Sequence, residues 1–134
     1  MYFKENSKAI YLQIADKICD DILAGDLRPG DRLPSVREYA AAVQVNPNTL
    51  VRTYDYLSQL GIIYQKRGIG FFLDNDAPDK VKTLRQNDVL DNQLGTLFGQ
   101  LRLLGITPDE LKAKYQEFLR ECLDLTSIHT KRIF

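Results

Sequence analysis

The chain has 134 residues, enough for one ordinary core or for a small domain with an appendage, and too few for two full domains. Its composition, 44% hydrophobic and 27% charged, is typical of a globular protein, and its 18 basic residues are balanced by 18 acidic ones. These values exclude a disordered chain, a separate large catalytic or ligand-binding domain, and indiscriminate binding of nucleic acid.

The first predicted helix covers residues 9–24, because apolar residues recur there at steps of three and four and form one stripe. Gly25 then supplies a stop signal for the helix. In the segment that follows, Pro29 and Gly30 mark a turn, and Pro34 disfavours a helical conformation at the preceding residue. The sequence therefore predicts an amphipathic helix followed by a short, ordered connector.

Two further helices with a tight turn between them are predicted next. Ser35 and Glu38 form a capping box, so the second helix starts at Ser35. It stops before Asn46, which is a good N-cap and precedes a proline, and the third helix runs from Asn46 until Gly61 closes it. The inward stripe of the third helix consists of Leu50, Tyr54 and Leu57. The polar residues left to project elsewhere are Asn48, Thr49, Arg52 and Thr53.

A β-hairpin is predicted after the third helix. Residues 62–65 and 71–73 are aromatic and β-branched runs, and the basic, glycine-rich segment 66–70 separates them. Residues 74–88 are polar, contain Pro78 and lack a clean period, which is typical of a linker that becomes helical toward its end. We therefore expect a first domain over residues 1–75, and a linker with a helical tail over residues 76–134.

The tail begins with a leucine-rich helix between Asp88 and Gly105. Its leucines recur at heptad spacing, at Leu90, Leu94, Leu97, Leu101 and Leu104. A second tail helix follows, because Thr107 and Glu110 form another capping box with proline at the first helical position. The apolar face of this helix comprises Leu111, Tyr115, Phe118, Leu119 and Cys122. The leucine seam either packs against this second helix or joins two chains; we expect a homodimer, since the apolar surface exceeds what one short helix covers.

Helix, short helix, tight turn, helix and basic hairpin, in this order, make a winged helix-turn-helix, whose third helix enters the major groove of DNA. Three segments make the pattern more specific: LPSVRE at 33–38, VNPNTLVRTY at 45–54 and KRGIGFFL at 66–73. Together they resemble the GntR family of bacterial regulators over about residues 10–73, and the short tail is similar to that of its YtrA-like subfamily. One departure is Gln44, where the family usually has glycine or another turn-tolerant residue. The resemblance implies a mainly α fold with a small β-hairpin, an N-terminal winged helix-turn-helix and a C-terminal two-helix dimerisation tail.

The resemblance also implies which residues contact DNA. In the family these are the arginine of the Pro-Ser-x-Arg segment, the polar residues that open the third helix and the Arg-Gly of the wing. Here they correspond to Arg37, Asn46, Asn48, Thr49, Arg52, Arg67 and Gly68, and Lys66 adds charge at the wing. Arginine can grip a phosphate or the O6/N7 edge of guanine, and asparagine can pair with adenine. Asn46 is first of all a helix cap, and Ile69 either touches the minor groove or covers the hairpin.

These residues predict a sequence-specific, DNA-binding transcriptional regulator, a repressor that binds an inverted-repeat operator as a homodimer. The alternative is a winged-helix module whose wing and third helix meet another protein; the basic residues beside the third helix favour DNA. Residues 28–73 contain six basic and three acidic side chains, so the rest of the neutral chain is acidic. With one histidine, no phosphate-binding loop and no paired histidines, the sequence excludes an enzyme and indicates no catalytic residue and no metal or other cofactor.

The remaining features concern location, cysteines and effectors. No stretch approaches the roughly 18 apolar residues of a membrane span, and the first residues lack a secretion signal, so we expect a cytoplasmic protein without membrane contact. Cys19 and Cys122 lie far apart in apolar helical patterns, which predicts buried structural thiols. Two tail helices leave little volume for a ligand pocket unless a dimer interface supplies it. The residues identify no small-molecule effector.

Overall fold

The computed structural model describes residues 8–129, with side chains described for residues 8–123. The chain divides into two compact units, and the boundary between them lies between Asn87 and Asp88. The first unit contains α1 (Ile10–Ala24), α2 (Val36–Val43), α3 (Pro47–Gln59), β1 (Ile63–Lys66), β2 (Gly70–Leu73) and α4 (Ala77–Asp88). The second contains a π-helical turn (Val89–Gln93), α5 (Leu94–Leu103) and α6 (Pro108–His129). The chain is thus mainly α-helical with one small hairpin, as predicted.

The ends of the first three helices follow the predicted local signals. α1 ends at Gly25, whose φ of 84° is left-handed. At the start of α2, the Ser35 hydroxyl accepts from the Glu38 amide at 3.1 Å and the Glu38 carboxylate accepts from the Ser35 amide at 2.9 Å. Asn46 caps α3 by accepting from the Asn48 amide at 2.8 Å. The capping boxes and the proline after Asn46 therefore fix the helix boundaries locally.

The turn between α2 and α3 depends on a left-handed residue that is not glycine. Gln44 is the C-cap of α2 and has a φ of 59°. A β-carbon in this conformation costs on the order of 1 kcal/mol relative to glycine. Gln44, the residue that departs from the usual pattern of the family, therefore occupies a strained position in this fold.

The hairpin is extended by part of the connector. β1 and β2 pair antiparallel, with Ile63 opposite Leu73 and Lys66 opposite Gly70. The connector runs along the other edge of β2, where Arg32 bridges to Phe72. Hydrogen bonds of 2.8 to 2.9 Å from the amides of Leu33, Leu73 and Gly30 close this edge. The connector thereby holds the wing to the start of α2.

The core lies between α1, α2, α3, the hairpin and the start of α4. The predicted stripe of α3 is buried, since Leu50, Tyr54 and Leu57 are almost fully excluded from solvent. The expectation that Thr53 projects away from the core is wrong, because this residue is completely buried. Its single hydroxyl hydrogen lies within reach of two acceptors, the Tyr11 carbonyl at 2.9 Å and the Thr49 carbonyl at 3.1 Å. The short polar side chain is accommodated because its donor is satisfied inside the core.

The segment predicted as a linker, residues 74–88, is helical from Ala77 onward and not only toward its end. α4 starts at Ala77, and Ala77 and Val81 are fully buried in the core of the first unit. Arg85 Nη2 further ties α4 to α1, at 2.8 Å from Asp20 Oδ1 and 3.0 Å from the Asp16 carbonyl oxygen. The first unit therefore extends to Asn87 and does not end at residue 75.

The second unit has helices but no core of its own. Its second capping box forms as predicted, since the Glu110 amide donates to Thr107 Oγ1 at 3.2 Å and the Thr107 amide donates to Glu110 Oε1 at 2.9 Å. Between residues 88 and 123, no side chain is buried. Cys19 is buried, as predicted, whereas Cys122 is only half-buried. Over residues 8–129, no helix has the length and apolar character needed to cross a bilayer.

Candidate nucleic-acid interface

The polar residues that open α3 lie on its solvent side. Asn48 and Arg52 are exposed and Thr49 is half-buried, while the opposite side of the helix enters the core. Asn46 is exposed, but its side-chain oxygen is engaged as the cap of α3. The Asn48 amide donates to Asn46 Oδ1 and the Thr49 amide donates to the Asn46 carbonyl at 2.9 Å, so the first turn of α3 is capped, and the helix dipole gives this end a partial positive charge.

The start of α2 lies beside the wing. A surface groove of about 320 Å³ is lined by residues of α2, the connector and the hairpin, among them Ser35, Arg37 and Ile69. Arg37 is exposed there. Hydrogen bonds from the Ser35 backbone and hydroxyl lower the pKa of Glu38, so this carboxylate is charged and committed to the cap. Two segments that are far apart in the sequence thus share one surface.

The wing tip presents Lys66, Arg67 and Gly68 to solvent. Gly68 has a φ of 77°, which closes the tight turn in which the Ile69 amide donates to the Lys66 carbonyl at 2.9 Å. Lys66 Nζ lies 4.8 Å from the centroid of the Phe72 ring, so its stem runs along the hairpin. Ile69 is 56% exposed at the wing tip.

Two side chains of this surface were not found from the sequence. Arg32 crosses the wing at Gly70, where an added β-carbon would lie 3.0 Å from Arg32 Nε. Tyr11, near the start of α1, lies under Arg52, whose Cζ is 4.1 Å from the centroid of the Tyr11 ring. Both contacts join residues that are distant along the chain, so no short segment of sequence predicts them. The connector that carries Arg32 contains prolines, which indicate a turn and give no sign that it pairs with the hairpin.

Comparison with known proteins gives the family. The model of bacterial regulatory proteins of the gntR family matches residues 10–73. YhcF of Bacillus subtilis (strain 168), an uncharacterized helix-turn-helix transcriptional regulator, is 42% identical over 109 residues, which are 80% of this chain and 87% of YhcF. The chain belongs to the GntR family. It is therefore a DNA-binding transcriptional regulator and not an enzyme.

Two further relatives refine the comparison. The crystal structure of a GntR-family regulator from Bacteroides thetaiotaomicron has a TM-score of 0.75 and 48% identity, covering 84% of this chain and 98% of that chain. YtrA of Bacillus subtilis (strain 168), a helix-turn-helix transcriptional repressor, is 42% identical over 72 residues, 54% of this chain and 55% of YtrA. The chain is thus a YtrA-like member of the GntR family.

The ion pairs of this GntR regulator lie outside the candidate DNA-binding residues. Within residues 8–123, the ion pairs are Lys8–Asp16, Lys17–Asp21, Lys80–Asp74, Arg85–Asp20 and Lys114–Glu117. None of the basic residues of α2, α3 or the wing that the sequence predicts to bind DNA takes part in them. Their charge is therefore available to phosphate groups.

The tail of the GntR regulator has a second candidate surface, an open groove of about 1380 Å³ between α5 and α6. Four of the five seam leucines line it, namely Leu90, Leu94, Leu97 and Leu101. Leu104 does not, because α5 ends at Leu103 and Leu104 is the C-cap, 74% exposed. The groove is open to solvent, and no side chain of α5 is buried. The expectation that the two tail helices hold a ligand pocket only where a dimer interface supplies the volume stays a prediction.

Proposed function

We propose that this protein is a repressor that binds an inverted-repeat operator as a homodimer in the cytoplasm, where the chromosome lies. The observation that carries the proposal is the set of exposed basic side chains on α2, α3 and the wing, which make no ion pair within residues 8–123. Such a surface matches the charge of the DNA backbone. The name of its relative YtrA supports the repressor role.

Base reading is assigned to the solvent-facing polar residues of α2 and of the first half of α3. Arg37 and Arg52 present planar forks of donors, and Asn48 and Thr49 can bond to base edges or phosphates. Asn46 contributes its amino group, since its oxygen is engaged in the cap. Together with the positive end of the α3 dipole, these residues orient the helix in the major groove.

Backbone binding is assigned to the wing. Lys66 and Arg67 are exposed at its tip and can each neutralise a phosphate. Gly68 lets the backbone approach the sugar-phosphate surface because no β-carbon stands in the way and nothing lies within 4 Å of that position. The wing therefore adds affinity with little sequence preference.

Dimerisation is assigned to the tail groove. Its leucines are apolar, adjacent and accessible, and no segment among residues 8–123 fills the groove. A second copy offers the same apolar side chains, so two-fold pairing can bury both sets at once. Two winged units held in this way would bind two half-sites related by a two-fold axis.

The experiment begins with selection of bound duplexes from a random DNA pool by the wild-type protein. We expect an inverted repeat to be enriched. Arg37→Ala and Arg52→Ala should each weaken binding to the selected duplex by about 1 to 3 kcal/mol, with relaxed preference at particular positions. Arg67→Ala should weaken binding to all duplexes and reduce the salt dependence by about one unit of slope.

Lys82→Ala is the matched control, because Lys82 is an exposed basic residue of the same unit outside the candidate surface. It should bind as the wild type does. Unchanged affinity of the three arginine variants would contradict the assigned surface, and failure to enrich any sequence would favour the protein-interaction alternative. Repression itself is tested by transcription in vitro from a promoter that carries the selected repeat, where added protein should lower transcript yield.

A further inference from the structure

Arg52 is held by an aromatic side chain from another helix. Its guanidinium lies over the Tyr11 ring, with Cζ 4.1 Å from the ring centroid. The Tyr11 ring also meets the Tyr56 ring edge-on, with centroids 6.3 Å apart and an interplanar angle of 82°. Behind the ring, the Tyr11 carbonyl accepts from Thr53 Oγ1 at 2.9 Å. Tyr11 is therefore fixed to α3 by its backbone and by its ring.

Stacking restrains the guanidinium without consuming its hydrogen-bond donors. An aromatic ring interacts with the face of a guanidinium, whereas the five N–H donors lie in its plane and point outward. No ion pair among residues 8–123 engages Arg52, so those donors are not committed to a carboxylate. The exposed guanidinium is thus oriented before DNA arrives, which reduces the conformational entropy lost on binding.

We propose that Tyr11 is a positioning residue for DNA recognition, which fixes the direction of the Arg52 guanidinium and makes the start of α1 part of the reading apparatus. The proposal rests on the proposed DNA contact of Arg52. Tyr11 acts through Arg52 and needs no DNA contact of its own.

A purely structural role for Tyr11 can be separated from a positioning role, because Tyr11 is held to α3 in two different ways, through its backbone carbonyl and through its ring. The Thr53 bond uses the Tyr11 backbone carbonyl and survives any change of side chain. Tyr11→Phe keeps the aromatic face, and Tyr11→Leu removes it while retaining an apolar side chain. The two variants therefore form a matched pair that differs in the ring that faces Arg52.

The test measures affinity for a duplex that the wild-type protein has selected from a random pool, at one fixed salt concentration. Tyr11→Leu should weaken binding about two- to tenfold, the range that corresponds to ordering one long side chain, and Tyr11→Phe should bind within twofold of the wild type. In an Arg52→Ala background, Tyr11→Leu should have no further effect. Tyr11→Leu should also relax sequence preference at the same base positions as Arg52→Ala. Thermal unfolding shows that each variant is folded.

The outcomes separate this proposal from the proposed function. Equal weakening by Tyr11→Leu with and without Arg52 would overturn the positioning role, because the effect would then pass through the fold. Unchanged binding of Tyr11→Leu beside clear weakening by Arg52→Ala would overturn it as well. Unchanged binding of Arg52→Ala beside weakening by Arg37→Ala and Arg67→Ala would overturn the Arg52 assignment and the positioning role together, while leaving the DNA surface in place. Enrichment of no DNA sequence by the wild type would overturn the DNA-binding assignments of the proposed function.

Discussion

The winged unit and the tail start helices with the same capping residues, but they differ in how far their side chains are buried. A capping box starts α2 at Ser35 and α6 at Thr107. In the winged unit, side chains from helices and hairpin enclose a core, whereas no side chain between residues 88 and 123 is buried. Local signals are therefore sufficient to define helix starts, but burial requires a partner surface that the tail does not supply from its own described residues.

The exposed surface of the tail has a thermodynamic consequence. Leu97 is 40% exposed and Phe98 48%, and both line one groove. Monomeric proteins rarely expose contiguous apolar patches larger than a few hundred Å². Burying one leucine side chain is worth about 1.5 to 3 kcal/mol, so pairing two tails gains several such contributions against the cost of association. The tail has the properties expected of one half of an interface.

The largest expected effect comes from breaking the tail surface. Leu97→Asp combined with Leu101→Asp places four carboxylates in a two-fold interface and removes four buried leucines. We expect the dimer to dissociate at least about a thousandfold more readily, which is about 4 kcal/mol. The winged unit should remain folded and bind DNA weakly, as a single half-site. Sedimentation equilibrium at micromolar concentration measures the first effect, and thermal unfolding checks the second.

Leu103→Asp is the matched control for the tail surface, because Leu103 lies in the same helix, is 87% exposed and does not line the groove. It should leave the association unchanged. A wild-type protein that sediments as a monomer, or a Leu97/Leu101 double variant that still dimerises, would show that this groove does not join the chains.

The next largest effect comes from the core of the winged unit. Leu57→Ala removes a fully buried side chain and leaves a cavity, so the free energy of unfolding should fall by about 2 to 5 kcal/mol. Leu23→Ala, at a position that is 47% exposed, should change it by no more than about 0.5 kcal/mol. Urea unfolding followed by circular dichroism measures both. Similar losses in the two variants would mean that burial does not distinguish these positions.

Features set by neighbouring residues were predictable from the sequence. The caps at Ser35, Asn46 and Thr107 all depend on a few consecutive residues. The hairpin is predicted from composition: β1 begins and ends one residue later than the predicted run, and β2 begins one residue earlier. Local sequence signals are thus sufficient to predict these helices and the hairpin and their order along the chain.

Features that depend on distant partners were missed. Thr53 was assigned to the outer surface because it is polar, but its hydroxyl finds an acceptor on α1, which no window of sequence can show. Residues 74–88 are polar and contain Pro78, which predicts a linker that becomes helical toward its end; Ala77 and Val81 are nevertheless buried in the core of the first unit. The candidate DNA-binding residues are predictable from residue type and from the family motifs, whereas the contacts of Arg32 and Tyr11 are visible only in the folded protein.

A smaller effect is expected at the turn between α2 and α3. Gln44→Gly removes the strain of the left-handed conformation, which raises the free energy of unfolding. The greater freedom of glycine in the unfolded chain offsets part of this gain, so the net rise should be about 0.5 to 1 kcal/mol. Ala41→Gly, at an exposed position inside the same helix, should lower it by about 1 kcal/mol. Thermal unfolding of the two glycine variants should therefore shift in opposite directions. A loss of stability in both would show that Gln44 is not strained.

The smallest expected effect is a pH dependence at the capping box of α2. Hydrogen bonds from Ser35 hold the pKa of Glu38 below its ordinary value of 4.5 in the folded protein. A carboxyl whose pKa is lower when folded stabilises the fold above its unfolded pKa, and this contribution disappears as the pH falls through the lower, folded pKa. Glu38→Gln keeps a side-chain oxygen that can accept from the Ser35 amide, but it does not titrate. The melting temperature of the wild type should therefore fall more steeply below pH 4.5 than that of Glu38→Gln, and the two slopes should agree near neutral pH. Parallel melting curves across the whole range would mean that the charge of Glu38 adds nothing to the cap.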